Sequence, residues 1–187
     1  GGPNVLLRNE GGLKFVDATQ EAGIGQYNSR YSFACLWEDF DNDKDQDLIV
    51  VNDFGPNNFY RNNGQGGFVD CSDSPGLRSG GFGMGVTVSD FDLDGLYDIH
   101  ISNMYSGAGN RIARQEWFHK DKKNEIRAAL LGMARGNTLL RNSGNDTFSD
   151  ISDTSGISMG RWSWASLAVD LNNDTREDLL VANGFVT

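Results

Sequence analysis

The chain is poor in the residues that build stapled or redox-active scaffolds: its 187 residues include two cysteines, two histidines and three prolines. Cys35 and Cys71 are too few for a disulfide framework, and without a C-x-x-C or a Cys/His cluster they make no zinc site. Two buried free thiols are the simplest reading, with a single bridge as the alternative. No apolar run approaches the roughly 18 to 20 residues that span a bilayer, so no membrane insertion is expected. The opening residues Gly1-Gly2-Pro3-Asn4 lack an initiator Met, a basic n-region and an apolar h-region, which points to a soluble chain that was processed or belongs to something longer. Basic residues are also scarce. Sixteen Lys and Arg against 26 Asp and Glu leave a net charge of -10, which disfavours nucleic acid and anionic membrane as partners.

What is present points to a folded protein. The 24 glycines have no three-residue period, and an aromatic content of 11% with 38% hydrophobic residues is too high for a disordered acidic tail.

The aspartates are ordered rather than scattered. DFDNDKDQDLIVVN, DFDLDGLYDIHISN and DLNNDTREDLLVAN, starting at Asp39, Asp90 and Asp170, share one frame. Counting the first Asp as position 1, oxygen side chains fall at positions 1, 3, 5 and 9: Asp39, Asp41, Asp43 and Asp47; Asp90, Asp92, Asp94 and Asp98; Asp170, Asn172, Asp174 and Asp178. The position 7 carbonyls of Asp45, Leu96 and Arg176 complete each expected shell. Such an all-oxygen set suits a hard cation, and Ca²⁺ above Mg²⁺ because calcium accepts more ligands in a looser shell. Up to three Ca²⁺ ions are therefore expected. An EF-hand is excluded: position 12 is Val50, Ile101 or Val181 instead of Glu, and each loop runs into a β-rich segment rather than a helix.

The repeat is larger than the loop. Segments beginning at Asn4, Asn57 and Asn137 align without gaps and share Arg8/Arg61/Arg141, Asn9/Asn62/Asn142, Phe15/Phe68/Phe148, Asp17/Asp70/Asp150 and Gly23/Gly76/Gly156. Each predicts a strand ending at Arg-Asn, a turn, a second strand around the Phe, a third strand entering the metal loop and a fourth leaving it to end at Asn52, Asn103 or Asn183. Four short strands per roughly fifty residues is the unit of a β-propeller blade. The fold expected over 1–187 is all-β, about three four-stranded antiparallel blades forming part of a ring. Propellers close with about four to eight blades, so further blades or other chains are expected to complete it.

The excess length lies between Asn103 and Asn137. Ile126, Ala129, Leu130 and Met133 follow a helical period there, with Asn124 as cap, Gly136 as stop and a shorter helix expected at about Ile112 to Phe118. This insertion, 104–136, carries +4 while the remainder carries -14, so it either docks on the chain's own aspartates or meets an anionic partner.

The D-x-D-x-D-x-x-x-D loop between strands resembles the FG-GAP/VCBS repeat of integrin-α-type propellers. The segments LLRN…F.D…GI, GFGMGVTVSDFDLDGLYDIHISNMYS and LVANGFVT resemble the cartilage acidic protein (ASPIC/UnbV) family. That resemblance implies a secreted, extracellular or periplasmic calcium-binding propeller used for adhesion or ligand contact rather than catalysis. The sequence departs from the pattern at position 6, where Gly95 has Lys44 and Thr175 as counterparts; a left-handed backbone there would cost a residue with a Cβ about 1 to 2 kcal/mol.

A non-catalytic module for protein or glycan interaction is therefore the expected function. Alternatives are a propeller portion of a polysaccharide-active enzyme or a scaffold subunit. The enzyme reading is weaker because the loop carboxylates are better explained as ligands and the chain has no G-x-S-x-G, H-E-x-x-H or P-loop. GGFGMG at Gly80 to Gly85 is expected to be a turn before a strand, His100 a strand residue and His119 a surface residue. Trp37, Trp162 and Trp164 are expected in the core, with an interface role for Trp162 and Trp164 under the scaffold reading. Asn145-Asp146-Thr147 and Asn173-Asp174-Thr175 match the glycosylation acceptor pattern.

Overall fold

The computed structural model describes residues 2–78, 80–120 and 124–184, with only the backbone described at 124, 125, 127 and 128. Asp121, Lys122 and Lys123 of the basic insertion, the last three residues of LVANGFVT and the side chain of Asn124 lie outside the described residues.

In chain order the elements are β1 (Leu7–Asn9), β2 (Phe15–Asp17), β3 (Tyr31–Glu38), β4 (Asp47–Pro56), β5 (Asn58–Asn62), β6 (Phe68–Asp70), β7 (Gly80–Ser89), β8 (Asp98–Asn103), α1 (Gly107–Ala113), α2 (Asn124–Arg135), β9 (Thr138–Asn142), β10 (Phe148–Asp150), β11 (Ser163–Val169) and β12 (Asp178–Asn183). Strands β3-β4-β5-β6 form one antiparallel blade and β7-β8-β9-β10 a second. The end of β4 also pairs with the start of β7, Asp53 opposite Phe82 and Pro56 opposite Gly80, so the two blades form one continuous eight-stranded sheet. The β11-β12 hairpin is the inner half of a third blade, and β1-β2 is an outer hairpin alone.

The expected four-stranded blades are present, but the structural unit is offset from the sequence repeat. A blade starts with the hairpin that carries the acidic loop and finishes with the Arg-Asn hairpin of the following repeat. The reason is connectivity: β5 follows β4 after a single residue and pairs back onto it, Leu48 opposite Tyr60, as expected for a tight antiparallel turn.

Between the first two blades lies the main core, Phe40, Ile49, Val51, Phe59, Leu77, Ile99, Ile101, Leu140 and Phe148. Burial of such a side chain contributes about 1.5 to 3 kcal/mol. Three rings at its centre, Phe40 with Phe59 and Phe148, lie 5.2 and 6.2 Å apart, with Phe59 and Phe148 at 5.9 Å. Phe40 is position 2 of the first acidic loop and Phe148 the repeat phenylalanine of the next blade, so the core anchors the loop directly. A second cluster, Ile24, Leu48, Val50 and Tyr60, joins blade one to the segment after β2. The joint between blade two and β11 is polar instead. Thr87 Oγ1 donates to the Ser166 carbonyl (2.6 Å), His100 Nδ1 meets Ser166 Oγ (2.9 Å) and Ser102 Oγ donates to it (3.1 Å). Burial pushes the His100 imidazole down to about 4, so it is neutral at pH 7.

Several local expectations are corrected. The glycines of GGFGMG lie inside β7, not in a turn before it. A Cβ on Gly83 would collide with Val51 Cγ1, and one on Gly85 would come within 2.9 Å of the Trp164 carbonyl; the small residues let neighbouring blades approach. The shorter helix is Gly107–Ala113 rather than Ile112 to Phe118, because Ser106 Oγ caps it by accepting from Gly109 N (2.9 Å). Gly136 ends α2 as expected, with φ of 105°. The insertion docks on the chain's own acids, Arg135 pairing with Asp150 (2.6 Å) and Asp153 (3.8 Å). Cys35 and Cys71 are both free, but Cys35 is exposed rather than buried, and Cys71 is half-buried. Trp37 and Trp164 are 39% and 45% exposed, on open blade faces rather than in the core. Trp162 is half-buried beside Met104. His100 is fully buried in β8 and His119 is exposed.

Gly76, at φ 82°, offers a test of the blade-to-blade fit, since a Cβ there would overlap the Phe148 carbonyl. Gly76→Ala is expected to destabilise by about 2 to 4 kcal/mol in denaturant unfolding. Gly132→Ala in α2, where no atom lies within 4 Å of the added methyl, is expected to stabilise by roughly 0.5 to 1 kcal/mol.

Candidate metal centres

Each acidic segment forms the turn between the two inner strands of a blade: 39–46 joins β3 to β4, 90–97 joins β7 to β8 and 170–177 joins β11 to β12. All three are shaped by the same internal hydrogen bonds. The position 1 carboxylate accepts from the backbone of positions 5 and 6: Asp39 from Asp43 (3.1 Å) and Lys44 (2.8 Å), Asp90 from Asp94 (3.0 Å) and Gly95 (2.9 Å), Asp170 from Asp174 (3.1 Å) and Thr175 (2.8 Å). The position 5 carboxylate accepts from position 7, at 2.8 Å for Asp45, 3.0 Å for Leu96 and 2.9 Å for Arg176. Short acidic side chains bonding backbone two to five residues ahead are what curl the loop. The curl puts positions 4 and 6 in the left-handed region in every loop, including Lys44 at 78° and Thr175 at 72°, both without glycine's freedom.

The curl brings ligands together. One carboxylate oxygen from each of Asp39, Asp41 and Asp43 lies within 4.8 Å of the others, and the same holds for Asp90, Asp92 and Asp94. In the third loop Asn172 stands at position 3, and its amide nitrogen donates to Asp174 Oδ2 (3.0 Å) while its oxygen accepts from Asp174 N (2.9 Å). With an amide donor directed at Asp174, this loop lacks the grouping of three carboxylates that the first two have. The first two donor sets, all oxygen and strongly anionic, fit a hard cation of calcium's size and ligand preference.

Position 9 stands apart from these groups as a buried clamp. Asp47 Oδ2 accepts from Phe40 N (3.2 Å) and Oδ1 from Asn62 N (2.8 Å); Asp98 accepts from Phe91 N (3.3 Å) and Asn142 N (2.8 Å). Both are 1% exposed. Burial pushes both carboxyls up to about 6, against the two backbone donors that act the other way. Asp178 accepts from Leu171 N (3.3 Å) and is exposed.

The sequence reading missed one component. The Arg-Asn pair that marks the repeats belongs to the loops. Arg61 reaches Asp41 (3.2 Å) and Asp146 on the next blade, and Arg141 reaches Asp92 (2.5 Å) and Asp94 (3.5 Å). Asn62 Nδ2 donates to the Gln46 carbonyl (3.0 Å); Asn142 Nδ2 donates to Phe40 (2.8 Å) and Tyr97 (3.2 Å) carbonyls. The available signal was a basic residue recurring beside an asparagine in every repeat. Neighbouring loops also touch: Asn42 Nδ2 donates to the Gly95 carbonyl (3.0 Å).

The FG-GAP-like repeat model matches residues 39–101 and 118–181, so both stretches contain acidic loops and their strands. Cartilage acidic protein 1 of Mus musculus is 30% identical over 111 residues, covering 54% of this chain and 17% of that protein. The Homo sapiens protein of the same name is 30% identical over an equal length, covering 16% of its own. The chain thus spans about a sixth of these relatives.

Two outcomes test the loop chemistry. Because the folded-state values of Asp47 and Asp98 are raised, the stability they contribute is fully present below the ordinary 3.8 and lost as pH rises through about 6. In chelator, the difference in melting midpoint between the wild type and Asp47→Asn/Asp98→Asn should change across that window and be flat above it; no change would refute the burial effect. Lys44→Gly, relieving the left-handed position, should stabilise by about 1 kcal/mol in chemical unfolding.

Proposed function

From the premise that the chain belongs to the FG-GAP-like repeat family, we propose that it is a calcium-stabilised propeller segment, secreted to an extracellular or periplasmic space, that presents its surface to a protein or glycan ligand without catalysing a reaction. The observation that carries this reading is the paired grouping of three carboxylates in each of the first two loops. Asp39, Asp41 and Asp43 would hold one ion and Asp90, Asp92 and Asp94 a second, with the carbonyls of Asp45 and Leu96 and the position 9 carboxylates available to the shell. Asp170, Asn172, Asp174 and Asp178, with the Arg176 carbonyl, would hold a third more weakly. A bound divalent cation supplies charge neutralisation; the residues supply the curl that keeps mutually repelling carboxylates together. Exposed loops of this kind, two with a strained position 6, suit affinities on the order of 10⁻⁴ to 10⁻³ M, the range of extracellular calcium modules.

A structural rather than catalytic role follows from where the acids point. The buried carboxyls with raised values, Asp47 and Asp98, are committed to backbone donors, so they are poorly placed to protonate a substrate. No helix among the described residues is long and apolar enough to cross a membrane, which accords with the proposed location.

Calorimetric titration with calcium, combined with thermal melts in calcium and in chelator, tests the reading. Calcium should raise the midpoint, Asp94→Ala should remove the tightest binding event and Asp174→Ala the weakest. An unchanged midpoint would rule out structural ions, and a negligible effect of Asp94→Ala would overturn the ranking.

A further inference from the structure

We propose that the basic insertion carries a binding row for an acidic polysaccharide, in which Arg111 and Arg114 take its sulfate or carboxylate groups and Trp117 stacks on a sugar ring. The inference rests on the ligand-presenting part of the proposed function, to which it adds a place and a ligand class, and not on calcium.

The row arises from the backbone. At the end of α1, Arg114 N still donates to the Asn110 carbonyl (3.3 Å), and beyond it the chain keeps coiling through three-residue bonds, Gln115 N to Ile112 (3.0 Å) and Phe118 N to Gln115 (3.1 Å). A three-residue repeat superposes side chains i and i+3, so Arg111, Arg114 and Trp117 fall on one line. All three are exposed, Trp117 at 67%. The line is roughly 9 to 12 Å long at the rise of such coils, the scale of a di- or trisaccharide. His119, at φ 47°, turns the chain at the end of the row, where exposed Lys120 adds a further cation. Glu116, the one acid between Arg111 and Lys120, falls in the neighbouring row with Ala113.

The coil is seated from beneath. Ser106 caps α1, Asn110 Nδ2 donates to the Ala134 carbonyl of α2 (2.5 Å), and Ala113 and Ala134 are both buried. The row therefore projects from a packed support, and it lies well inside the chain sequence.

Its charges are uncommitted. In a chain with 26 acidic residues, Arg8, Arg61, Arg78, Arg135 and Arg141 each meet a carboxylate. Arg111, Arg114 and Lys120 form no ion pair among the described residues. Only the far end of the insertion docks on the chain's own acids, through Arg135. Two arginines one turn apart repel each other, and their planar forks suit the paired oxygens of sulfate or carboxylate. Trp117 beside them offers an apolar face with little entropy to lose, and arginine with tryptophan is the pairing that dominates binding surfaces. A slender acidic chain lies along the row without approaching the scaffold, which carries -14; a broad anionic bilayer would bring those acids against its own charge.

Isothermal titration of the full chain with dextran sulfate and with polygalacturonate, each in calcium and in chelator, tests the row, with neutral dextran as control. One or both acidic polymers should bind in either buffer, more weakly as salt rises, the pair telling sulfate from carboxylate. Arg111→Gln/Arg114→Gln should weaken binding about tenfold or more, and Arg111→Lys/Arg114→Lys should recover only part because an ammonium lacks the fork. Trp117→Ala should weaken polysaccharide binding about tenfold yet leave binding of inorganic polyphosphate, which has no rings, unchanged. Melting midpoints should match the wild type, since all these positions are exposed. Silence of both acidic polymers, or undiminished binding by Arg111→Gln/Arg114→Gln, would overturn the site. An equal loss of polyphosphate by Trp117→Ala would overturn the stacking role, and capture of phosphatidylserine vesicles without polysaccharide binding would overturn the ligand class. Binding confined to calcium buffer and indifferent to the arginines would sink this inference and leave the calcium reading standing; arginine-dependent binding by a chain that calcium does not stabilise would do the reverse.

Discussion

The architecture depends on one buried carboxylate in each of the two complete blades. Position 9 is the first residue of the strand that leaves the acidic loop, and it holds two backbone donors at once: one closes the loop, the other belongs to the next hairpin. Short loops and short strands have little apolar area of their own, so each blade needs a polar fastening at its turn end. An aspartate supplies it because two oxygens on one short side chain serve two donors with little entropy lost. Its burial is the penalty, visible in the raised carboxyls of Asp47 and Asp98. The same aspartate that could join an ion's shell is thus already indispensable to the fold.

Much of this was legible in the residues. Oxygen side chains at positions 1, 3 and 5 followed by strand-forming runs mark the loop and its place between strands, because the spacing reflects side chain to backbone bonds that span only two to five residues. The four-stranded blade followed from the repeat length. What stayed hidden depends on contacts across tens of residues. Locally the Arg-Asn pair is only the end of a strand, yet Asn142 donates to Phe40, 102 residues away. The glycines of β7 looked like a turn because nothing local reveals that Val51 and Trp164 lie against them. Trp37 and Trp164 looked like core because aromatic residues beside a strand usually are; the faces they occupy are open here.

The arginines partly neutralise the loops. Arg141 contacts two of the three grouped carboxylates of loop two, and Arg61 contacts one in loop one while also meeting Asp146 on the neighbouring blade. In high dielectric such partly exposed pairs are individually weak, but they bear on carboxylates that repel one another within 4.8 Å. The acidic loops are consequently read by their own blade and, through Arg61 and the Asn42 contact with Gly95, by the next one.

The polar joint between blades two and three has a mechanical consequence. Hydrogen bonds such as those converging on Ser166 are lost within a fraction of an ångström of displacement, whereas apolar contact at the first joint is non-directional and tolerates sliding. Under tension the first joint would be held by its apolar core together with the β4-β7 pairing, whereas the seam at His100 and Ser166 would give way all at once, making it the brittle line along which the segment parts.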